Sequence, residues 1–214
     1  VEKFLWEYPS QSKTLILAST YNECEEILFP LFPTLLERKF DIWIFPHKPE
    51  TQRIATICDF LDSLPGAKYQ KFSEINNDRH SPILVFDTIG VLAFAYKKAW
   101  LTYVGGAVHN RVHNTIEPAY FGSPLITGKR IYNAAEAQVL EKLKGLFTFQ
   151  SQEDVLQILD RLENSNQLYQ NIRKNNQDFV ANNRGASLRF YEKFLSSHST
   201  LRQRSVQTQL RERI

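Results

Sequence analysis

The sequence predicts an α/β protein built on a doubly wound parallel sheet, and three observations predict it. Short apolar runs recur along the chain as unbroken stretches, the pattern of strands buried on both faces. Most are followed by a stretch of helical length whose apolar residues are spaced three and four apart. The punctuation between them is polar and carries Gly, Pro, Asn and Asp. Alternation of that kind lays parallel strands side by side with helices over both faces, a Rossmann-like arrangement.

The elements follow in order. Residues 14–18 (TLILA) make the first strand. Ser19-Thr20 then reads as a turn and N-cap, and with Glu23, Glu25 and Glu26 it forms a capping-box pattern. Helix is expected from Glu25. Residues 42–45 (IWIF) form a strand stopped by Pro46 and Pro49. Residues 50–63 are helical, because Ile54, Ile57, Cys58 and Leu61 share one face. Residues 68–72 make a short strand and 83–86 (ILVF) a strong one; 91–99 form a short apolar helix. The strand at 101–104 ends in Gly105-Gly106. Helix follows at 114–121, strand at 124–127, helix at 133–143 and strand at 146–149. From 152 to 197 the pattern stays helical, with breaks at 164–166 and 182–185. Counting the unbroken apolar runs, five or six strands make one domain over 13–197, with a leading linker at 1–12 and a basic tail at 198–214.

Composition excludes several classes. With 43% hydrophobic and 23% charged residues the chain is neither wholly disordered nor a coiled coil. No apolar run approaches the roughly 18 residues that cross a bilayer. Cys24 and Cys58 sit in no CxxC pair, which argues against a metal knuckle and suits a reducing cytoplasm. Methionine is absent even at position 1, as expected of a piece of a longer protein. The net charge of +3 matches the tail alone, where Arg202, Arg204, Arg211 and Arg213 face only Glu212. A neutral body argues against a nucleic-acid partner. Leu201, Val206 and Leu210 among those arginines allow peripheral contact with an anionic membrane surface, against the plainer reading of a solvated terminus.

In a doubly wound sheet, ligands bind outside the carboxyl ends of the strands. That selects the loops at 19–26, 46–50, 87–90, 105–117 and 128–136. The 105–117 loop says most. Gly105 and Gly106 let backbone approach a ligand or take positive φ. If Asn114 caps the next helix, its first turn offers free N–H groups and a positive dipole end, a phosphate seat. Glu117, one turn on and on the face of His113 and Asn114, can accept both vicinal hydroxyls of a ribose. Plain capping explains the same residues equally well. His109, His113 and Glu117 are spaced four apart, but His109 falls before the helix, so no metal site is read here. His47 and Lys48 in the Pro46–Glu50 turn can touch an anion. Asp87 can cap a helix, while Thr88 and Ile89 can touch a base or sugar.

Taken together, these segments resemble the 3-deoxy-D-manno-octulosonic acid (Kdo) transferases of lipopolysaccharide assembly. The residues that carry the resemblance are Ser19-Thr20 with Glu25-Glu26, Pro46-His47-Lys48-Pro49-Glu50 and Asp87-Thr88-Ile89-Gly90-Val91-Leu92. After them come Val104-Gly105-Gly106, His113-Asn114-Thr115-Ile116-Glu117-Pro118 and Gly122-Ser123-Pro124-Leu125. Gly128, Asn133, Glu136 and Asn183-Arg184-Gly185-Ala186 complete a collinear set over about residues 13–190. Three positions depart from the family pattern: His47 stands where the family has arginine, Val91 where it has glutamate, and Arg111-Val112 where many members have Gly-Gly.

The resemblance implies the carboxyl-terminal, donor-binding half of a GT-B glycosyltransferase. The donor would be CMP-Kdo and the acceptor a lipid A precursor, bound through an amino-terminal domain that also holds the carboxylate base. Transfer would be inverting, with no metal or other cofactor, at the cytoplasmic face of the inner membrane. Pro46, His47, Lys48, Asp87, Thr88, Ile89, Gly105, Gly106, His113, Asn114 and Glu117 would contact CMP-Kdo, and no residue of this chain would be the catalytic base. Two other readings stay open: a GT-B transferase or epimerase using a UDP-sugar, and a nucleotide-binding module without activity.

Overall fold

The structure, a computed structural model, describes residues 13–75, 81–185 and 190–194. The leading linker, Ala186 and the basic tail read from the sequence lie outside the described residues. The chain divides into two compact units, Val1–Val180 and Ala181–Ile214, and the sheet belongs to the first.

The first half runs β1 (Lys13–Thr20), α1 (Asn22–Leu28), a 3-10 turn at Phe29–Leu31, α2 (Phe32–Glu37), β2 (Phe40–Pro46), α3 (Thr51–Ser63), β3 (Tyr69–Lys71) and β4 (Ile83–Val85). It continues with α4 (Leu92–Ala95), β5 (Ala99–Val104), α5 (Ile116–Tyr120), β6 (Leu125–Gly128), α6 (Ala135–Lys142), β7 (Leu146–Phe149), α7 (Gln152–Asn164) and α8 (Asn166–Asn183). All strand pairs are parallel, in the order β3-β4-β2-β1-β5-β6-β7. The doubly wound sheet is as predicted, with seven strands rather than five or six. The short strand read at 68–72 is present as Tyr69–Lys71, half-buried and so not among the unbroken apolar runs.

The unbroken apolar runs have the expected cause. Successive side chains of a strand point to opposite faces. Leu15 and Leu17 join Ile42, Ile44, Leu101 and Tyr103 in the core beneath α1, α2, α3 and α7. Ile16 and Ala18 join Trp43, Phe45, Leu84 and Phe86 in the core on the other face, with Ala95 of α4. In α3 the predicted stripe of Ile54, Ile57, Cys58 and Leu61 is the buried face. A third core packs α5 and α6, through Ala119, Ala137 and Leu140, on Val104 and Leu125.

Two helix starts differ from expectation. Ser19 and Thr20 extend β1 instead of capping a helix; the chain turns at Tyr21, the N-cap of α1. Glu25 caps nothing: it is 6% exposed and receives hydrogen bonds from Thr20 and Arg53. Asp87 does not cap a helix either. Its carboxylate receives the Ser73 amide and hydroxyl, and α4 begins five residues later at Leu92.

Candidate functional site

The direction of winding reverses at β1, which has β2 on one side and β5 on the other. The crevice at such a reversal opens at the carboxyl ends of the strands. Here those ends deliver Tyr21 after β1, His47 after β2 and Gly105-Gly106 after β5.

Close backbone contact explains the two glycines. Gly105 N–H donates to Ala18 O at 2.8 Å, and a Cβ on Gly105 would fall on the Ser19 carbonyl. Gly106 has φ +98, and a Cβ there would fall on the Arg111 carbonyl and lie 3.2 Å from the His113 ring. The loop therefore folds back on itself. Asn110 N–H donates to Gly106 O at 2.8 Å, and His113 N–H to Gly105 O at 3.0 Å. His47 is tied in the same way, its N–H donating to Thr20 O at 3.0 Å.

These ties gather four rings. Tyr21 stacks on His47 with centroids 4.8 Å apart, lies parallel to His113 at 5.6 Å and meets His109 edge-on at 4.7 Å. His47 and His113 stack directly at 4.5 Å, and the Tyr21 hydroxyl is 2.9 Å from His113 Nε2. Loss of solvent, with the neighbouring His47 and His109, holds the His113 imidazole below its ordinary pKa. Loss of solvent and Lys48 do the same to His47. Tyr21 separates two clefts. One, of about 470 Å³, is bounded by Gly106, His109, His113 and Asn114; the other, of about 380 Å³, by Thr20, His47, Lys48 and Arg53.

The helix beyond His113 starts two residues later than the sequence predicts, and of the two readings of its first turn the structure shows capping by Asn114. α5 begins at Ile116, and the exposed Asn114 sits ahead of it with its side chain turned back over the helix start. Asn114 Oδ1 accepts from Ile116 N at 2.9 Å and Glu117 N at 3.4 Å, while its Nδ2 donates to Glu117 Oε1 at 2.8 Å. The first-turn N–H groups are thus occupied by Asn114 rather than free. The cause is local, because an Asn before a helix satisfies those donors itself. His113 lies outside the helix, facing Tyr21 and not Glu117's face. Glu117 is exposed at the mouth of the loop.

Of the residues the sequence selects, His47, Gly105, Gly106, His113 and Asn114 gather at this crevice; Glu117 borders neither cleft and is tied to its edge through Asn114. Lys48 borders the smaller cleft, and Pro46, buried, ends β2. Asp87, Thr88 and Ile89 stand apart at the end of β4 and border neither cleft. Among the described residues no group of three His, Cys, Asp or Glu side chains is arranged to hold a metal ion. Sequence reasoning did not single out Tyr21, although it lies in the selected 19–26 loop. Its signal was available: it is the first residue past the strand at the reversal point. His109 was weighed only as a metal ligand.

The arrangement defines the class of the protein. The seven-stranded parallel sheet flanked by helices matches the carboxyl-terminal, Rossmann-like domain of a GT-B fold. The structure overlays, with a TM-score of 0.67 and 22% identity, on the C-terminal CMP-Kdo binding domain of WaaA from Acinetobacter baumannii, covering 82% of this chain and 97% of that one. It also overlays on the C-terminal domain of the group 1 glycosyl transferase LpcC from Francisella tularensis, with a TM-score of 0.55, 12% identity and coverage of 86% and 93%. No family model matches the chain.

In sequence, the chain is similar to the 3-deoxy-D-manno-octulosonic acid transferases, as the motifs indicated. It is 28% identical to the enzyme of that name from Rickettsia prowazekii over 178 residues, 80% of this chain and 38% of that protein. It is also 28% identical to the one from Haemophilus influenzae over 185 residues, 83% of this chain and 42% of that protein. The chain thus spans about two fifths of the length of these relatives.

Proposed function

We propose that this chain is the donor-binding part of an inverting glycosyltransferase that moves Kdo from CMP-Kdo to a lipid A precursor. The observation that carries the reading is the exposed Asn114–Glu117 pair, at the mouth of the glycine-bent loop and at the reversal point of the sheet. Glu117 accepts the two ribose hydroxyls. The Asn114 amide, the Gly106 backbone and the imidazoles of His47 and His113 receive the phosphate, with Lys48 adding charge from the rim. The cytosine lies toward Asp87, Thr88 and Ile89; Ile89 is 84% exposed and offers it an apolar face.

During transfer the anomeric C–O bond to phosphate breaks, and negative charge grows on the departing CMP. Donors already in place stabilise that charge without reorganising. The acceptor hydroxyl attacks from the opposite face, and its proton passes to a carboxylate of a further, amino-terminal domain. The domain proposed over 13–197 holds the donor; the arginine-rich residues 198–214 touch the cytoplasmic face of the inner membrane. No described helix is long and apolar enough to cross a membrane.

A nucleotide panel followed by thermal shift tests the reading. CMP should raise the melting temperature more than UMP or UDP, and Glu117→Ala should weaken CMP binding about 10- to 100-fold, the weight of a pair of charge-assisted hydrogen bonds. A preference for UDP would favour a UDP-sugar enzyme. Unchanged CMP affinity in the Glu117 variant would remove the ribose contact and the reading with it.

A further inference from the structure

The chain carries histidine at 47, where the resembled family carries arginine, and the structure stacks that imidazole on a second one. We propose that His47 and His113, joined through Tyr21, form a one-proton site that is neutral when empty and takes up a single proton as the phosphate of a nucleotide binds. This rests on the function proposed above and says how the same site acquires its charge.

Geometry supports a single proton. Imidazoles stacked at 4.5 Å repel if both are charged, so the second proton is disfavoured. The Tyr21 hydroxyl, 2.9 Å from His113 Nε2, serves either state: it donates to the neutral nitrogen and accepts from the protonated one. The two stacked rings limit access of water from their shared faces, and both imidazoles lie below the ordinary histidine range. The charged groups around the pair are of both signs. Lys48, Arg53, Glu23 and Glu50 border the His47 side; Arg111, Glu136 and the His109 ring border the His113 side. His109 Nδ1 is 3.8 Å from Glu23, which directs that carboxylate to His109.

An incoming phosphodiester supplies the missing negative charge. It draws one proton from solvent onto the pair, and no bond to the ligand forms or breaks in the step. A fixed guanidinium would bind the same anion without any proton. The imidazolium is then in place when the leaving phosphate gains its second charge.

A base whose pKa is low in the empty site and raised by the bound anion gives constant affinity below the empty-site pKa and falling affinity above it. The fall begins below the ordinary imidazole midpoint, where the empty site titrates, and extends up to the pKa of the bound state.

The test uses cytidine 5′-methylphosphate, a phosphodiester whose charge does not change in this range, with CMP alongside. Calorimetric titrations in buffers of different ionisation enthalpy give affinity and proton uptake together. The expected result is uptake approaching one proton and affinity that falls toward tenfold per pH unit, the limit for one coupled proton. His47→Arg should bind with no uptake and a flat profile, and more tightly than the unmodified protein at the alkaline end. Proton NMR titration of the His47 and His113 rings gives a second readout, with ligand raising their titration midpoint. A flat profile without uptake in the unmodified protein, while CMP still binds, overturns the proton site and leaves the donor-binding reading intact. An undiminished slope in His47→Arg overturns it too. Failure of both nucleotides to bind at any pH sinks both.

Discussion

Replacing Gly106 with alanine asks whether the bend after β5 is what seats the site. Two costs add. At φ +98 an L-residue is strained by about 1–2 kcal/mol. The new Cβ would also fall on the Arg111 carbonyl and lie 3.2 Å from the His113 ring. A backbone oxygen cannot swing aside as a side-chain tip can, so the 106–113 loop must shift, for about another 1–3 kcal/mol. Gly90→Ala is the matched comparison: its φ is +82, but nothing lies within 4 Å of the added carbon, so only the strain applies. Urea unfolding of the two variants separates the costs, since an unchanged slope makes midpoint differences stability differences. Gly106→Ala should lose roughly twice what Gly90→Ala loses, and should also weaken CMP binding because His113 is displaced. Equal losses with unchanged CMP affinity would refute the reasoning, because the close packing of Gly106 on Arg111 and His113 would then carry no weight.

Two further outcomes are expected. Arg53→Ala strands Glu25, a carboxylate that burial already pushes above its usual pKa despite Thr20 and Arg53. The unfolded state ionises Glu25 first, so the variant's deficit should be small near pH 5 and grow to about 3 kcal/mol by neutrality; a pH-independent deficit in urea melts would contradict this. Asn176→Ala should cost about 2 kcal/mol, because its buried amide donates to Ser123 O at 2.7 Å and Gly145 O at 3.1 Å. Those carbonyls precede β6 and β7, at the end of the sheet opposite the crevice, so CMP affinity measured by calorimetry should not change.

Legibility in the sequence followed the strength of the physical signal. Runs such as TLILA and IWIF were readable because burial on both faces demands apolar residues at every position. The α3 stripe was readable because four residues repeat at helical spacing. Residues 69–71, three half-buried residues at the sheet edge, have no such demand and left a weak trace. At the site, the glycine pair and the His-Asn…Glu pattern marked the loop that the structure brings to the winding reversal. What the pattern could not show was that Asn114 would close the helix start on itself, since free and capped first turns have the same sequence. Nor could it show the stack of Tyr21, His47 and His113, whose members are far apart in the chain and meet only because three strand ends adjoin.

That meeting depends on a small feature at the start of α1. Tyr21 can divide the two clefts only if its backbone is fixed where β1 stops, and its N-cap position lacks the usual Ser, Thr or Asp. The Cys24 thiol supplies the tie: it accepts from Tyr21 N–H at 2.9 Å and donates to Tyr21 O at 3.0 Å. Cys24 is fully buried, and burial pushes its pKa up, so it keeps the proton that makes the second bond possible. The thiol thus adds to the hold that the Cys24 and Glu25 amides already place on the Tyr21 carbonyl, at 3.2 and 3.1 Å. Cys24→Ala removes both thiol bonds and keeps the two backbone ones, so calorimetry should show CMP affinity falling by more than the stability lost in urea unfolding accounts for, and unchanged affinity would show that the backbone bonds suffice.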